Sequence, residues 1–200
     1  MLKVKTKGTL IIISSPSGAG KTTIVKHLVK KIPNYKLSVS LTTRKPRKGE
    51  VDGIDYKFVS LKNFKEKVKK KLFLEHAKVF DNYYGTLKSE VISDLKKGKN
   101  ILLDIDWQGA RQVKKKFTND LISIFILPPS LKELKRRLSK REKNKTFINK
   151  RMSKAKREIM HWSEYDYAVL NDNLKNCLLK IQSIINNHLL KPHMQTMSNN

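Results

Sequence analysis

The sequence has little cysteine and no long apolar run, and each shortage excludes a class of protein. The single cysteine, Cys177, excludes an internal disulfide and a cysteine metal cluster, which favours a reducing compartment. The apolar run at residues 10–13 is far shorter than the roughly 20 residues of a membrane helix. The first residues also lack the apolar stretch of a secretory signal. We therefore expect a cytoplasmic protein with no membrane partner.

Acidic residues are scarce as well, because 17 Asp and Glu stand against 44 Lys and Arg, for a formal net charge of +27. Such a charge is typical of nucleic-acid-binding proteins. Only eight of the basic residues are arginine, however, and the lysines are spread along the whole chain. This distribution favours a drift in base composition over a dedicated polyanion surface. We expect no specific nucleic-acid partner, although the positive field should attract phosphorylated small molecules.

Segments whose apolar residues have the spacing of a strand alternate along the chain with segments that have the spacing of a helix. This alternation predicts an α/β fold with a parallel sheet and helices on both faces. Residues 82–85 predict a turn, and the polar tail after Lys191 is expected to fray. Predicted strands lie at 9–14, 36–41, 73–80, 101–105, 121–127 and 167–170. Predicted helices lie at 22–32, after Ser60, at 88–97, as a pair over 130–160, and at 174–190.

A glycine-rich segment lies between the first strand and the first helix, where a phosphate-binding loop is required. Its glycines would let successive backbone N–H groups surround an anion at the helix N-terminus. Lys21 can reach the β- and γ-phosphates of a nucleotide, and Thr22 can offer its hydroxyl to Mg²⁺. The usual pattern begins with Gly where this chain has Ser15. The segment consists of Ser15, Pro16, Ser17, Gly18, Ala19, Gly20, Lys21 and Thr22.

Three further sets of charged residues suit nucleotide chemistry. Arg44 and Arg47 lie three apart in an irregular stretch, and guanidinium groups bind phosphate oxygens in a bidentate way that lysine cannot match. Glu75 is a lone acid among apolar residues, which suggests a partly buried charge with a function. Asp104 and Asp106 end an apolar strand, at the sheet edge where such folds bind ligands. The alternatives are a solvated basic loop and an outward-facing strand residue.

Taken together, these segments resemble the guanylate kinase family, whose members move a phosphoryl group from ATP to GMP. The similarity covers nearly the whole chain and leaves only the tail outside. It is carried by residues 14–22, 38–50, 53–59, 82–86, 104–109, 128–130 and 171–172. The resemblance implies a P-loop parallel sheet flanked by helices, with an inserted mixed α/β GMP-binding segment and a helical lid.

The resemblance also implies a division of the chain and a role for each site residue. One domain would span residues 1–190, with a core at about 8–41, 87–128 and 161–190, a GMP-binding segment at about 42–86, a lid at about 129–160 and a polar tail at 191–200. The implied GMP-binding residues are Ser40, Arg44, Arg47, Tyr56, Glu75, Tyr84, Thr86 and Asp104. The implied ATP-binding residues are 15–22 with Asn171 and Asp172. The implied catalytic residues are Lys21, Arg137, Arg141 and Arg151, and Thr22 would bind Mg²⁺ with waters held by Asp104 or Asp106.

Three functions remain open at this point. The first is a Mg²⁺-dependent guanylate kinase of purine nucleotide metabolism, with ATP as co-substrate. The second is a non-catalytic guanylate-kinase-like domain that binds partner proteins, which predicts loss of the phosphate loop or of the lid arginines. The third is a basic nucleic-acid binder with an incidental loop. Because Lys21, Thr22, Arg44 and Arg137 are all present, the sequence favours the catalytic function.

Overall fold

The computed structural model describes residues 2–32, 34–118, 120–141 and 143–199. Its strands are β1 (Leu2–Thr6), β2 (Leu10–Ser14), β3 (Tyr35–Leu37), β4 (Leu41–Thr42), β5 (Lys57–Phe58), β6 (Phe73–Val79), β7 (Asn82–Leu87), β8 (Asn100–Asp104), β9 (Leu121–Leu127), β10 (Tyr167–Leu170) and β11 (Gln195–Asn199). Its α-helices are α1 (Lys21–Lys31), α2 (Leu61–Lys69), α3 (Lys88–Lys96), α4 (Trp107–Lys114), α5 (Leu131–Arg141), α6 (Lys145–Ile159) and α7 (Leu174–Leu189).

The central sheet is parallel, in the order β10-β9-β2-β8-β3. Alternate residues of β2 face opposite sides, as the two-residue period of a strand requires. Ile11 and Ile13 pack in one core with α1 and α7, whereas Leu10 and Ile12 pack in a second core with α3 and α4. The predicted α/β fold with helices on both faces is confirmed, and the carboxyl ends of the strands share one edge.

A second sheet, in the order β5-β4-β7-β6, is inserted between β3 and α3. Helix α2 begins after Ser60, whose hydroxyl accepts a hydrogen bond from Asn63 N at 3.2 Å, as the sequence predicts. Phe64 of this helix stacks on Phe73 of β6 with ring centres 4.6 Å apart. This small core gives the insertion its own support beside the central sheet.

The helical pair α5 and α6 packs through its own apolar contacts, which are Leu134 and Leu138 against Ile148 and Ala155. A Cβ on Gly18 would lie 3.0 Å from Leu138, so α5 also contacts the loop that follows β2. The predicted helical pair over residues 130–160 is confirmed. Within the part of the chain that the structure describes, no helix has both the length and the apolarity to cross a membrane.

The predicted turn at residues 82–85 is wrong, because these residues form most of β7 and pair with β6. The chain reverses earlier, between the paired residues Val79 and Asn82, where Phe80 takes a φ of 55°. Tyr83 and Tyr84 have strong strand propensity and find partners on both sides, which outweighs the turn propensity of Asn82 and Gly85.

The structure differs from the sequence-based expectations in three other places. The strand expected at residues 36–41 is split between β3 of the central sheet and β4 of the inserted sheet. Helix α4 was not predicted, because it is short and its start depends on the cap at Asp106. The expected fraying after Lys191 is wrong, because β11 pairs antiparallel with β1, which joins segments too far apart in sequence for a local pattern to reveal.

Candidate active site

A cleft of about 500 Å³ opens at the carboxyl edge of the central sheet. Four parts of the chain line it: the loop after β2 with the start of α1, the inserted segment, the end of β8, and helix α6 of the helical pair. The cleft therefore brings the predicted phosphate loop, Arg44 and Glu75 together. Its walls include Ser15, Pro16, Ser17, Gly18, Gly20, Lys21, Thr22, Ser40, Arg44, Arg47, Tyr56, Glu75, Tyr84, Asp104, Asp106 and Arg151.

The loop between β2 and α1 has the geometry of a phosphate-binding loop. Gly18 and Gly20 have φ values of 91° and 101°, a backbone conformation that residues other than glycine rarely adopt. The loop is anchored below by Ser14, whose hydroxyl donates a 2.7 Å hydrogen bond to Ile105 O. Its exit forms the N-terminus of α1 at Lys21, where the helix dipole favours an anion.

Lys21 and Thr22 lie at the start of α1 and line the cleft. The Lys21 ammonium forms an ion pair with Asp104 at the end of β8, and its Nζ is 3.4 Å from Ile105 O. Thr22 and Asp104 both line the cleft and carry oxygen atoms, the type of ligand that Mg²⁺ prefers.

Asp106 acts as the N-cap of α4. One carboxylate oxygen accepts hydrogen bonds from Gln108 N at 3.0 Å and from Gly109 N at 3.1 Å. The other oxygen accepts a 3.0 Å hydrogen bond from the Gln108 side chain. Both oxygens of Asp106 are therefore engaged at the helix start, whereas Asp104 remains beside Lys21.

Arg44 is held in a fixed orientation in the inserted segment. Its guanidinium donates to both oxygens of Glu50, at 2.8 and 2.9 Å, and lies 5.4 Å from the centre of the Tyr56 ring. Its buried Nε has no hydrogen-bond partner among the described residues. Glu50 also accepts a hydrogen bond from Arg47 N at 2.8 Å, and the Arg44 guanidinium helps to hold the pKa of Glu50 below its usual value. Buried donors are rarely left without a partner, which is consistent with a site that binds an anion beside Arg44.

Tyr56 and Tyr84 stand beside Arg44, with their ring centres 5.9 Å apart in an edge-to-face contact. Burial, together with the nearby Asp104 carboxylate, raises the pKa of Tyr56, so its hydroxyl stays protonated at neutral pH. A protonated hydroxyl can donate a hydrogen bond to a phosphate oxygen. The structure therefore groups both predicted tyrosines with the arginine that they were predicted to assist.

Glu75 lies on β6, is only 3% exposed, and is one of the residues that line the cleft. Burial raises the pKa of Glu75 to about 7, although hydrogen bonds from Thr86 oppose the shift. Thr86 pairs with Glu75 across the inserted sheet and shares a 3.1 Å hydrogen bond with Ser40. Three acceptor-bearing side chains, Ser40, Glu75 and Thr86, are thus brought together deep in the insertion.

The arginines of the helical pair that were predicted to be catalytic lie in different surroundings. Arg151 of α6 lines the cleft and lies 4.7 Å from the centre of the Phe147 ring. Arg137 of α5 lies behind the phosphate loop, where it donates to Ala19 O at 3.4 Å and to Asn171 O at 3.2 Å and pairs with Glu133 at 2.8 Å. The side chain of Arg141 lies outside the described residues.

Asn171, the residue after β10, supports the phosphate loop. Its side-chain amide donates a 2.7 Å hydrogen bond to Ala19 O, and a Cβ on Gly20 would lie 2.5 Å from its Nδ2. The neighbouring Asp172 accepts a hydrogen bond from Asn173 N at 2.7 Å. The predicted ATP-side role of Asn171 and Asp172 stays a prediction.

Sequence reasoning missed Glu50, Glu158 and Lys154. Glu158 of α6 accepts a 3.1 Å hydrogen bond from Ser17 N of the phosphate loop. Lys154 lies 3.5 Å from Glu158 and 4.1 Å from the centre of the Phe80 ring, at the tip of the β6–β7 hairpin. The one available signal was the scarcity of acids, because each of the 17 acidic residues in so basic a chain is a candidate for a specific contact.

A phosphate loop at the carboxyl edge of a parallel sheet, with arginines across the cleft from it, is typical of P-loop proteins that act on nucleotide phosphates. Comparisons with known proteins give the family. The guanylate kinase family model matches residues 7–188. The guanylate kinase of Paramagnetospirillum magneticum is 48% identical over 193 residues, which cover 96% of this chain and 90% of that protein.

Two further relatives agree. The guanylate kinase of Rickettsia prowazekii is 52% identical over 185 residues, covering 92% of this chain and 93% of that protein. The crystal structure of guanylate kinase from Anaplasma phagocytophilum superposes with a TM-score of 0.83 at 34% identity, covering 97% of this chain and 93% of that chain. The chain therefore belongs to the guanylate kinase family, and the catalytic function is favoured over the non-catalytic alternative.

Proposed function

We propose that the cleft transfers the γ-phosphoryl group of ATP directly to GMP, giving ADP and GDP, and that the protein does so in the cytoplasm. The observation that carries this proposal is the arrangement of the cleft, in which the phosphate loop faces Arg44 and Glu75 across one volume of about 500 Å³. Such an arrangement lets two nucleotides present their phosphates to each other, which is the main requirement of phosphoryl transfer.

ATP would bind on the side of the phosphate loop. Its phosphates would accept hydrogen bonds from the backbone N–H groups around Gly18 and Gly20, at the positive end of α1. The Lys21 ammonium would leave its ion pair with Asp104 and bind the nucleotide, where it would neutralise charge between the β- and γ-phosphates. Arg151, on the cleft side of α6, would stabilise charge on the transferring group.

GMP would bind against the inserted sheet. Arg44 and Arg47 would donate hydrogen bonds from their guanidinium groups to the GMP phosphate, with the hydroxyls of Tyr56 and Tyr84 as further donors. Guanine presents two adjacent donors, its N1–H and its 2-amino group, and the ionised carboxylate of Glu75 can accept both. Adenine has no such pair, so the buried acceptor would remain unpaired with AMP.

The residues on the ATP side fit Mg²⁺. The Thr22 hydroxyl would bind the ion directly, and Asp104 would hold its waters, since both oxygens of Asp106 already cap α4. When bound, Mg²⁺ neutralises charge on the phosphates. The residues of this chain position the nucleotides and exclude water, so that the GMP phosphate oxygen rather than water attacks, and no protein nucleophile is required.

The substitution Lys21→Met tests the phosphate-loop assignment. Removing the ammonium should lower kcat by at least about 100-fold, the scale of one transition-state donor. Lys30→Met is the matched control, because it removes one charge from an exposed position at the other end of α1. The measurement is ADP release with ATP and GMP, with circular dichroism to verify folding. Near-normal turnover of a folded Lys21→Met protein would contradict the assignment.

A further inference from the structure

Gly109 occupies an unfavourable position for a glycine. It is the third residue of α4, inside a helix of eight residues, where glycine is less favourable than alanine by about 1 kcal/mol. Its backbone is ordinary right-handed helix, since Gly109 is not among the residues with positive φ. Backbone conformation therefore does not require glycine here, and the reason must lie in the space around it.

That space is filled by the Glu75 side chain. A Cβ on Gly109 would lie 2.5 Å from Glu75 Oε2 and 3.1 Å from Glu75 Cδ, and 3.3 Å from Ile105 Cβ. Cβ atoms essentially never approach a heavy atom to 2.5 Å, so something must move. The nearest atom is the far end of a flexible side chain, whereas Ile105 is fixed in the core. The carboxylate of Glu75 is the group that would move.

We propose that Gly109 is a positioning residue for guanine specificity: by carrying no side chain, it lets the Glu75 carboxylate lie against the start of α4. Glu75 lines the cleft, and Thr86, its partner across the inserted sheet, donates hydrogen bonds to its carboxylate. This proposal rests on the proposed function, in which Glu75 accepts the two guanine donors. A methyl group at residue 109 would displace the acceptor from the base without removing it.

The substitution Gly109→Ala tests the proposal. A displacement of about 1 Å at a positioned group can cost on the order of 100-fold, so kcat/KM for GMP should fall about 10- to 100-fold, chiefly through KM. Activity toward AMP and KM for ATP should hardly change, because neither uses the Glu75 carboxylate. The variant should remain folded, because alanine is favourable in a helix and only the end of the Glu75 side chain has to move. Equal losses for GMP and AMP would overturn the proposal in favour of a purely structural role.

A double-mutant cycle separates this proposal from the proposed function. If Gly109 acts only through Glu75, Gly109→Ala combined with Glu75→Gln should be no worse toward GMP than Glu75→Gln alone. Fully additive losses would overturn the proposal. If Glu75→Gln itself leaves the GMP-to-AMP ratio unchanged, Glu75 does not bind the base and the proposed function fails. If Glu75→Gln lowers that ratio but Gly109→Ala does not, only the role of Gly109 fails.

A second variant covers the case in which Gly109→Ala does not fold. Shortening Glu75 by one methylene withdraws its carboxylate from the new methyl group, so Gly109→Ala with Glu75→Asp should recover the fold. If this double variant also fails to fold, the conflict lies with Ile105 and not with Glu75, and the proposal is overturned. The measurement is the near-ultraviolet circular dichroism of each variant beside the unsubstituted protein.

Discussion

Raising the pH from 6 to 8 should increase the activity of the protein toward GMP through one buried group. Burial raises the pKa of Glu75 to about 7, so the group changes its charge within this interval. Only the ionised carboxylate offers acceptors to both the N1–H and the 2-amino group of guanine, because the protonated acid carries a hydrogen on one oxygen. GMP binding should therefore strengthen as pH rises.

The expected magnitude follows from the position of that pKa. With a midpoint near 7, about one tenth of Glu75 is ionised at pH 6 and about nine tenths at pH 8. The value of kcat/KM for GMP reports ionisations of the free enzyme, so it should rise about tenfold between these values. AMP, which does not need the carboxylate, should show no such rise.

The assay is kcat/KM for GMP between pH 6 and pH 8 in the unsubstituted protein and in Glu75→Gln. The phosphate of GMP itself titrates with a pKa of about 6, and this titration is common to both proteins. The ratio of the two profiles isolates Glu75, because the amide side chain of the variant is uncharged at every pH of the series. A ratio that stays constant from pH 6 to pH 8 would refute the assignment of the titration to this carboxyl group.

Two further predictions concern stability and the helical pair. The folded-state pKa of Glu75 lies above its unfolded value, so ionisation of Glu75 destabilises the fold by up to about 3 kcal/mol as pH rises from about 4.5 to 7. In urea unfolding, the stability of Glu75→Gln relative to the unsubstituted protein should therefore be greater at pH 8 than at pH 5, and an equal difference at both pH values would contradict this prediction. Arg137→Ala should lower kcat more than it raises KM for GMP, because Arg137 contacts the phosphate loop and Asn171. A loss confined to GMP affinity would contradict the assignment of Arg137 to the ATP side of the cleft.

The middle of the central sheet could be predicted from local pattern because β2, β8 and β9 are buried on both faces and form continuous apolar runs. β9 was predicted with the bounds that the structure gives it, since its apolar run is closed by Pro128 and Pro129. The phosphate loop could also be predicted from the sequence, because Lys21 and Thr22 follow the glycines at the required spacing after β2. These features depend on residues that are close together in the sequence.

The remaining features depend on contacts between distant segments. The β1–β11 pair joins the two ends of the chain, and β7 is a strand because β4 and β6 flank it. The contact between Glu75 and Gly109 joins residues from two different elements, and no periodicity reveals it. Arg44 and Arg47 were expected from their chemistry, but the carboxylate of Glu50 that orients Arg44 was not.

The most direct test of the account is selectivity among nucleoside monophosphates. ADP release would be measured with GMP, AMP and UMP in parallel, for the unsubstituted protein and for Glu75→Gln. Because a site that accepts hydrogen bonds from its substrate can reject an analogue by about 10⁴-fold, the unsubstituted protein should phosphorylate GMP almost exclusively, and Glu75→Gln should lose much of that advantage while keeping residual activity at high GMP. An unchanged GMP-to-AMP ratio in Glu75→Gln, or equal activity of the unsubstituted protein with GMP and AMP, would contradict the account.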